Sequence, residues 1–109
     1  MKYVTHNDES IETNGACLQG YITAKYQDLV DAFGKPTSSD GYKVDAEWEI
    51  KFEDGTIAKI YNWKNGRNYN GNDGLDVEYI TEWNIGGFKE RAAELVHDVL
   101  KFDKNLEVF

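Results

Sequence analysis

Apolar and polar residues alternate strictly between residues 42 and 52, with Tyr42, Val44, Ala46, Trp48, Ile50 and Phe52 on one side and Lys43, Asp45, Glu47, Glu49 and Lys51 on the other. Successive side chains of a strand point to opposite faces, so this stretch predicts a strand with one buried face. Glu53-Asp54-Gly55 then offers a tight turn, and Thr56 to Trp63 resumes as a β-branched and aromatic strand, completing a hairpin. A third alternating run, from about Asp76 to Ile85, sets Val77, Tyr79, Thr81, Trp83 and Ile85 against Asp76, Glu78 and Glu82. Ile80 interrupts the polar set, and Gly86-Gly87 ends the run.

Two stretches carry helical spacing instead. Tyr26, Leu29, Val30 and Phe33 fall at i, i+3, i+4 and i+7, preceded by Thr23 as N-cap and stopped by Gly34 and Pro36. Phe88, Ala92, Leu95, Val96, Val99 and Leu100 form a second apolar stripe, with Lys89, Glu90, Arg91, Glu94 and Asp98 opposite. A short strand over 16–22 precedes the first helix, and the tail from Lys104 to Phe109 could add an edge strand. The order β-α-β-β-β-α predicts an α+β domain: an antiparallel meander with two helices packed on one face. Residues 1–15 read as a polar N-terminal arm, either loose or a short edge strand around Tyr3 and Val4, and residues 16–109 as a single domain. Residues 64–74, with three glycines and four asparagines, read as a long loop, a feature that in small domains is often functional or disordered.

Composition narrows the functions this domain could serve. Twelve basic against twenty acidic residues give a formal charge of −8, the wrong sign for direct nucleic-acid binding. The acid is uneven: residues 1–54 hold five Lys/Arg and eleven Asp/Glu, net −6, and residues 55–109 hold seven and nine, net −2. The lone Cys17 allows no intramolecular disulfide or zinc cluster, in keeping with a reducing cytosol. No signal-peptide run and no stretch of about 18 apolar residues is visible, so a soluble cytoplasmic protein without membrane contact is expected.

Enzymatic constellations are absent from the pattern. There is no phosphate-binding glycine loop, no paired histidine ligands, no nucleophile elbow, and His97 reads as a helix-surface residue. No catalytic residue, metal site or cofactor is expected, and the protein is read as a non-enzyme. Two candidate surfaces remain. Lys59, Lys64 and Arg67 interleave with Tyr61, Trp63 and Tyr69 and, with Asn62 and Asn68, lead into the glycine-rich loop. Guanidinium, ammonium and aromatic groups together suit a small phosphorylated, base-containing ligand. Asp45, Glu47 and Glu49 would project from one strand face at intervals of ~6.5–7 Å. Asp76, Glu78 and Glu82 would extend that row if the third strand lies beside the hairpin. The plain reading of such a row is the wet face of a sheet; the functional one is a partner-binding surface that mimics nucleic acid.

The segments Gly20 to Ile22, Phe33 to Pro36, Glu47-Trp48, Asp54-Gly55, Ile60 to Lys64 and Ile85 to Gly87 follow the pattern GYI…FGxP…EW…DG…IYNWK…IGG. Over residues 18–96 the chain thereby resembles a family of small bacteriophage proteins. The resemblance brings no catalytic residues with it. It implies a protein of the infected bacterial cytoplasm that counters host antiviral defence by stoichiometric binding. Sequestration of a nucleotide-derived immune signal is the first expectation, with a homo-oligomer interface as one way to complete the site. An acidic inhibitor of a host defence nuclease, or of a restriction or CRISPR component, is the second, and a virion structural protein the third.

Overall fold

The computed structural model describes residues 2–5, 11–37 and 43–107, with the backbone alone from 102 onward. Its elements are β1 (Tyr3–Val4), β2 (Cys17–Thr23), α1 (Tyr26–Phe33), β3 (Glu47–Phe52), β4 (Ile57–Tyr61), a short α2 (Arg67–Asn70), β5 (Glu82–Gly87) and α3 (Arg91–Glu107). Two 3-10 turns, Gly71–Asp73 and Val77–Tyr79, lie between α2 and β5. The strands form one five-stranded sheet in the order β1-β3-β4-β5-β2, antiparallel at every pairing. The fold is α+β, and β3-β4-β5 is the expected meander.

Alternation along the strands builds the core. Trp48, Ile50 and Phe52 of β3, Ala58 and Ile60 of β4, and Trp83 and Ile85 of β5 share one buried face with Ile22. Against them pack Leu29 and Phe33 of α1 and Ala92, Leu95, Val96 and Leu100 of α3. Each fully buried large apolar side chain is worth roughly 1.5–3 kcal/mol, so this single layer of contacts dominates stability. Two indoles do more than fill volume. Trp48 and Trp83 meet edge to face, with centroids 5.3 Å apart. Trp83 Nε1 donates to the Ala24 carbonyl just before α1 (3.0 Å), and Trp48 Nε1 donates to the Gly34 carbonyl just after it (2.7 Å). Both ends of α1 are thus tied to the sheet, and both buried N–H groups are satisfied. On the far side of the helix layer, α3 comes so close to β5 that a Cβ at Gly87 would lie 2.6 Å from the Ala92 Cβ.

Several boundaries differ from the expectation. β3 begins at Glu47, because the Asp45 and Ala46 amides bond to the Asn62 side chain instead of a neighbouring strand; Tyr42 lies outside the described residues. Thr23 ends β2 with its hydroxyl bonded to the Glu82 carboxylate (3.3 Å), and Lys25 occupies the N-cap position of α1 without a side-chain cap. Asp76 to Tyr79 are not strand: the Tyr79 and Ile80 amides bond back to Asp76 and Val77, turning the chain so that Ile80 enters the core and Tyr79 faces out. The tail through Glu107 continues α3 and forms no strand. Of the arm, Tyr3 and Val4 pair with Phe52 and Lys51, and the Tyr3 ring packs on Phe33 and Phe52. No helix among the described residues is long and apolar enough to cross a membrane.

Candidate functional site

The face of the sheet turned away from α1 and α3 carries the second half of each alternating pattern: Glu47, Glu49 and Lys51 on β3, Ile57, Lys59 and Tyr61 on β4, Asn84 and Gly86 on β5. Beyond Tyr61 the chain leaves the sheet and enters the segment richest in candidate residues. Asn62, the first of them, is fully buried. Its Oδ1 accepts from the amides of Asp45 (2.7 Å) and Ala46 (3.1 Å), and its Nδ2 donates to Asp45 Oδ1 (2.9 Å) and Asn65 Oδ1 (3.0 Å). Both acceptor and both donor positions of the amide are in use, so Asn62 has nothing left for a ligand.

The loop is built outward from that knot. Asn68 donates its backbone N–H to Asp45 Oδ2 (3.2 Å) and its side-chain amide to the Val44 carbonyl (3.1 Å). Asn70 Nδ2 donates to the Lys64 carbonyl (2.8 Å), and Asn65 Nδ2 to the Glu82 carbonyl (3.2 Å). Gly66 leaves room for the Asp45 carboxylate, which would overlap any Cβ there. Arg67 is ion-paired to Asp76 through Nε and Oδ1. The long loop is therefore a short helix and a 3-10 turn held by asparagine side chains, and Asn62, Asn68 and Arg67 serve as its internal fastenings.

Trp63, Lys64 and Tyr69 are different. Trp63 is 45% exposed, whereas Trp48 and Trp83 are buried, and Tyr69 is also exposed. The Lys64 ammonium lies 5.8 Å from the Trp63 ring centroid and 5.3 Å from that of Tyr69, within cation–π range of both. Lys59 is ion-paired to Glu47 and Arg67 to Asp76, which leaves Lys64 as the member of the predicted basic trio with no carboxylate partner among the described residues. Its backbone sits at φ 61, a conformation that costs a non-glycine residue about 1 kcal/mol or more. Two bonds hold it there: the Lys64 N–H donates to the Lys43 carbonyl (2.9 Å), and its own carbonyl accepts from Asn70. The first brings in Lys43, whose ammonium is 5.3 Å from the Trp63 centroid. Tyr61 meets Trp63 edge to face at 6.2 Å and borders the patch.

The acidic candidates do not form a continuous row. Asp45 belongs to the Asn62 knot, Asp76 pairs with Arg67, and Glu82 accepts from Thr23 at the far end of β5. Glu47 is buried and bonded to Lys59 Nζ at 2.9 Å, so its charge is matched. Glu49 faces the same side of β3, where burial raises its pKa and the neighbouring Glu47 adds to the effect, while Lys59 partly offsets it. Glu78 lies on the second 3-10 turn, outside the sheet. A strand presenting carboxylates at regular intervals needs Asp45 and Glu47 both exposed, and neither is.

Lys43 was not among the sequence candidates. The signal for it was register: counting outward from the Asp54-Gly55 turn, β3 and β4 pair Glu47 with Tyr61, and continuing that count sets residues 43–45 alongside 63–65. Among the described residues, no group of three or more His, Cys, Asp or Glu side chains could hold a metal ion. No family model matches the chain, and no curated protein matches it in sequence.

Proposed function

We propose that this protein binds a small, anionic, base-containing ligand at the Trp63–Lys64–Tyr69 patch and holds it without turnover. With the phage-family resemblance over residues 18–96, the role this suits is a phage-encoded inhibitor of host antiviral defence that sequesters a nucleotide-derived signal in the infected cytoplasm. The observation that carries the reading is Lys64: an ammonium without a carboxylate partner among the described residues, set against two exposed aromatic rings, on a residue whose unfavourable backbone conformation is fixed by two hydrogen bonds. Unfavourable backbone geometry persists only where surrounding structure enforces it, and such positions cluster at binding sites. An anion there meets a positive centre and a π surface, although the chain as a whole carries −8.

The acidic-inhibitor reading has less support, because four of the six carboxylates it needs, Asp45, Glu47, Asp76 and Glu82, are already bonded within the chain. One experiment separates the two. The purified protein is incubated with extract of phage-infected bacteria, re-isolated and denatured, and the released material is analysed by mass spectrometry. A released nucleotide, absent from a Trp63→Ala/Lys64→Asn variant, is the expected result. A stoichiometric host protein retained equally by that variant would favour the acidic surface and overturn the ligand reading.

A further inference from the structure

The sheet ends on two unlike edges. One is β1, two residues long beside Lys2; the other is β2, seven residues from Cys17 to Thr23, with no strand on its outer side among the described residues. A sheet edge carries unpaired N–H and C=O groups, and proteins blunt it with short strands, charges or proline to keep other strands off. β2 has neither a charge nor a proline. Residues 13–24 are the longest run in the chain without Asp, Glu, Lys or Arg, twice the next, residues 83–88, although 29% of all residues are charged. The least charged stretch of a strongly acidic chain thus forms its open edge. A register shift between Leu18 and Gly20 bends the start of β2 and leaves Gly20 to Thr23 regularly paired with β5. The Ala24 amide bonds to the Thr81 carbonyl on the β5 side (2.9 Å), so alternation turns the backbone groups of Tyr21 and Thr23 outward. The Tyr21 carbonyl accepts from His97 Nε2 (2.9 Å) instead of from a strand, and its second lone pair can take another donor. The Tyr21 side chain stands in one row with Asn84 and Tyr61 on the face turned away from the helices, and it is exposed, as is Leu18. We infer that β2 pairs with β2 of a second copy, antiparallel about a two-fold axis at Tyr21, joining two five-stranded sheets into one. A second copy fits this edge because two molecules of charge −8 repel over most of their surfaces, and here each presents its uncharged run to the other. Antiparallel self-pairing also sets each outward donor opposite an acceptor, and it brings the two Tyr21 rings together as a cross-strand aromatic pair.

Sedimentation equilibrium of the full chain tests this pairing. A dimer with a dissociation constant on the order of 10 µM is expected of so small an interface. It should tighten between about 0.05 and about 0.5 M NaCl, as salt screens the two net charges. Tyr21→Lys sets two ammonium groups across the axis and should weaken the dimer at least about tenfold. Its thermal melt should match the parent's, because the tyrosine is exposed. Cross-linking gives the second readout. Tyr21→Cys combined with Cys17→Ser should form a disulfide-linked dimer under mild oxidation, since residues paired at such an axis lie about 5.5 Å apart at Cα. The parent, whose exposed Cys17 stands away from the axis, should not. A chain that is monomeric at about 200 µM overturns the self-pairing and leaves the edge to a strand of another protein. A dimer that survives Tyr21→Lys, or that Cys17 cross-links as readily as Tyr21→Cys does, puts the contact elsewhere and overturns it too.

Discussion

Asn62 and Trp63 are neighbours in the chain and opposites in the structure. One is fully buried with every polar atom bonded; the other is nearly half exposed, with two lysine ammonium groups over its ring. The same division runs through the whole segment, where Asn62, Asn65, Asn68, Asn70 and Arg67 hold the backbone and Trp63, Lys64 and Tyr69 face outward. Polar residues in a loop are commonly read as available for ligands and aromatics as core. Here the assignments are reversed, because a loop that leaves a sheet must satisfy its own amides, and short amide side chains do this at least cost in area.

Breaking the inner half should have the largest effect. Asn62→Ala leaves two backbone amides and two side-chain oxygens without their partner, and is expected to cost about 3 kcal/mol in urea denaturation. Trp63→Ala, one residue on, should change stability by less than about 1 kcal/mol while abolishing ligand binding. Gly66→Ala forces the Asp45 carboxylate out of its bonds to Asn62 and Asn68, and about 2 kcal/mol of destabilisation is expected. If Gly66→Ala melts like the parent protein, the knot does not organise the loop.

Lys64 sharpens the comparison because its backbone and its ammonium can be altered separately. Asparagine tolerates the left-handed conformation, so Lys64→Asn should melt within about 0.5 kcal/mol of the parent and lose binding. Lys64→Val should cost about 1–2 kcal/mol, since a β-branched residue is strained at that φ. Arg67→Ala removes an exposed pair, for which a loss below about 1 kcal/mol and unaltered binding are expected.

A smaller, pH-dependent effect lies at the opposite end of the hairpin. Asp54 accepts from Arg91 Nε (2.6 Å) and from the Thr56 amide (2.9 Å), which together hold its carboxyl well below the usual carboxylate range and tie the β3-β4 turn to the start of α3. A depressed carboxylate pKa contributes stability that is present above the unfolded value of 3.8 and is lost as pH falls through the folded one. Arg91→Ala should therefore lower the melting temperature at pH 7 and make it less sensitive to acid below pH 4. Glu49 runs the other way. Its raised pKa means that its charge opposes folding at neutral pH, so Glu49→Gln should raise the melting temperature at pH 7, with the gain shrinking as pH falls towards 4.5.

How much could be read in advance follows the range of the interactions. Strands β3 and β4, helices α1 and α3, and the core of Trp48, Ile50, Ile60, Trp83 and Ile85 are written in local periodicity, and the structure has them. Ile80, the residue that broke the third alternating run, marked the place where the chain turns and buries it. The segment over 62–74 was not legible as structure, because its bonds reach 16 to 24 residues back to Val44, Asp45 and Ala46, and no window of local sequence contains both partners. For the same reason Asn62 and Asn68 looked available, and Lys43 did not look like a neighbour of Trp63; Arg67 looked available because its partner Asp76, nine residues on, reads as part of a strand.

The central claim is that binding passes through the outward half of this segment and not through its fastenings. Titration of ADP against the parent protein, Arg67→Ala and Lys64→Asn, followed by Trp63 fluorescence, tests it most directly. Arg67→Ala is expected to bind like the parent, and Lys64→Asn, folded to the same melting point, to bind at least tenfold more weakly. Loss of binding in Arg67→Ala with retention in Lys64→Asn would contradict it.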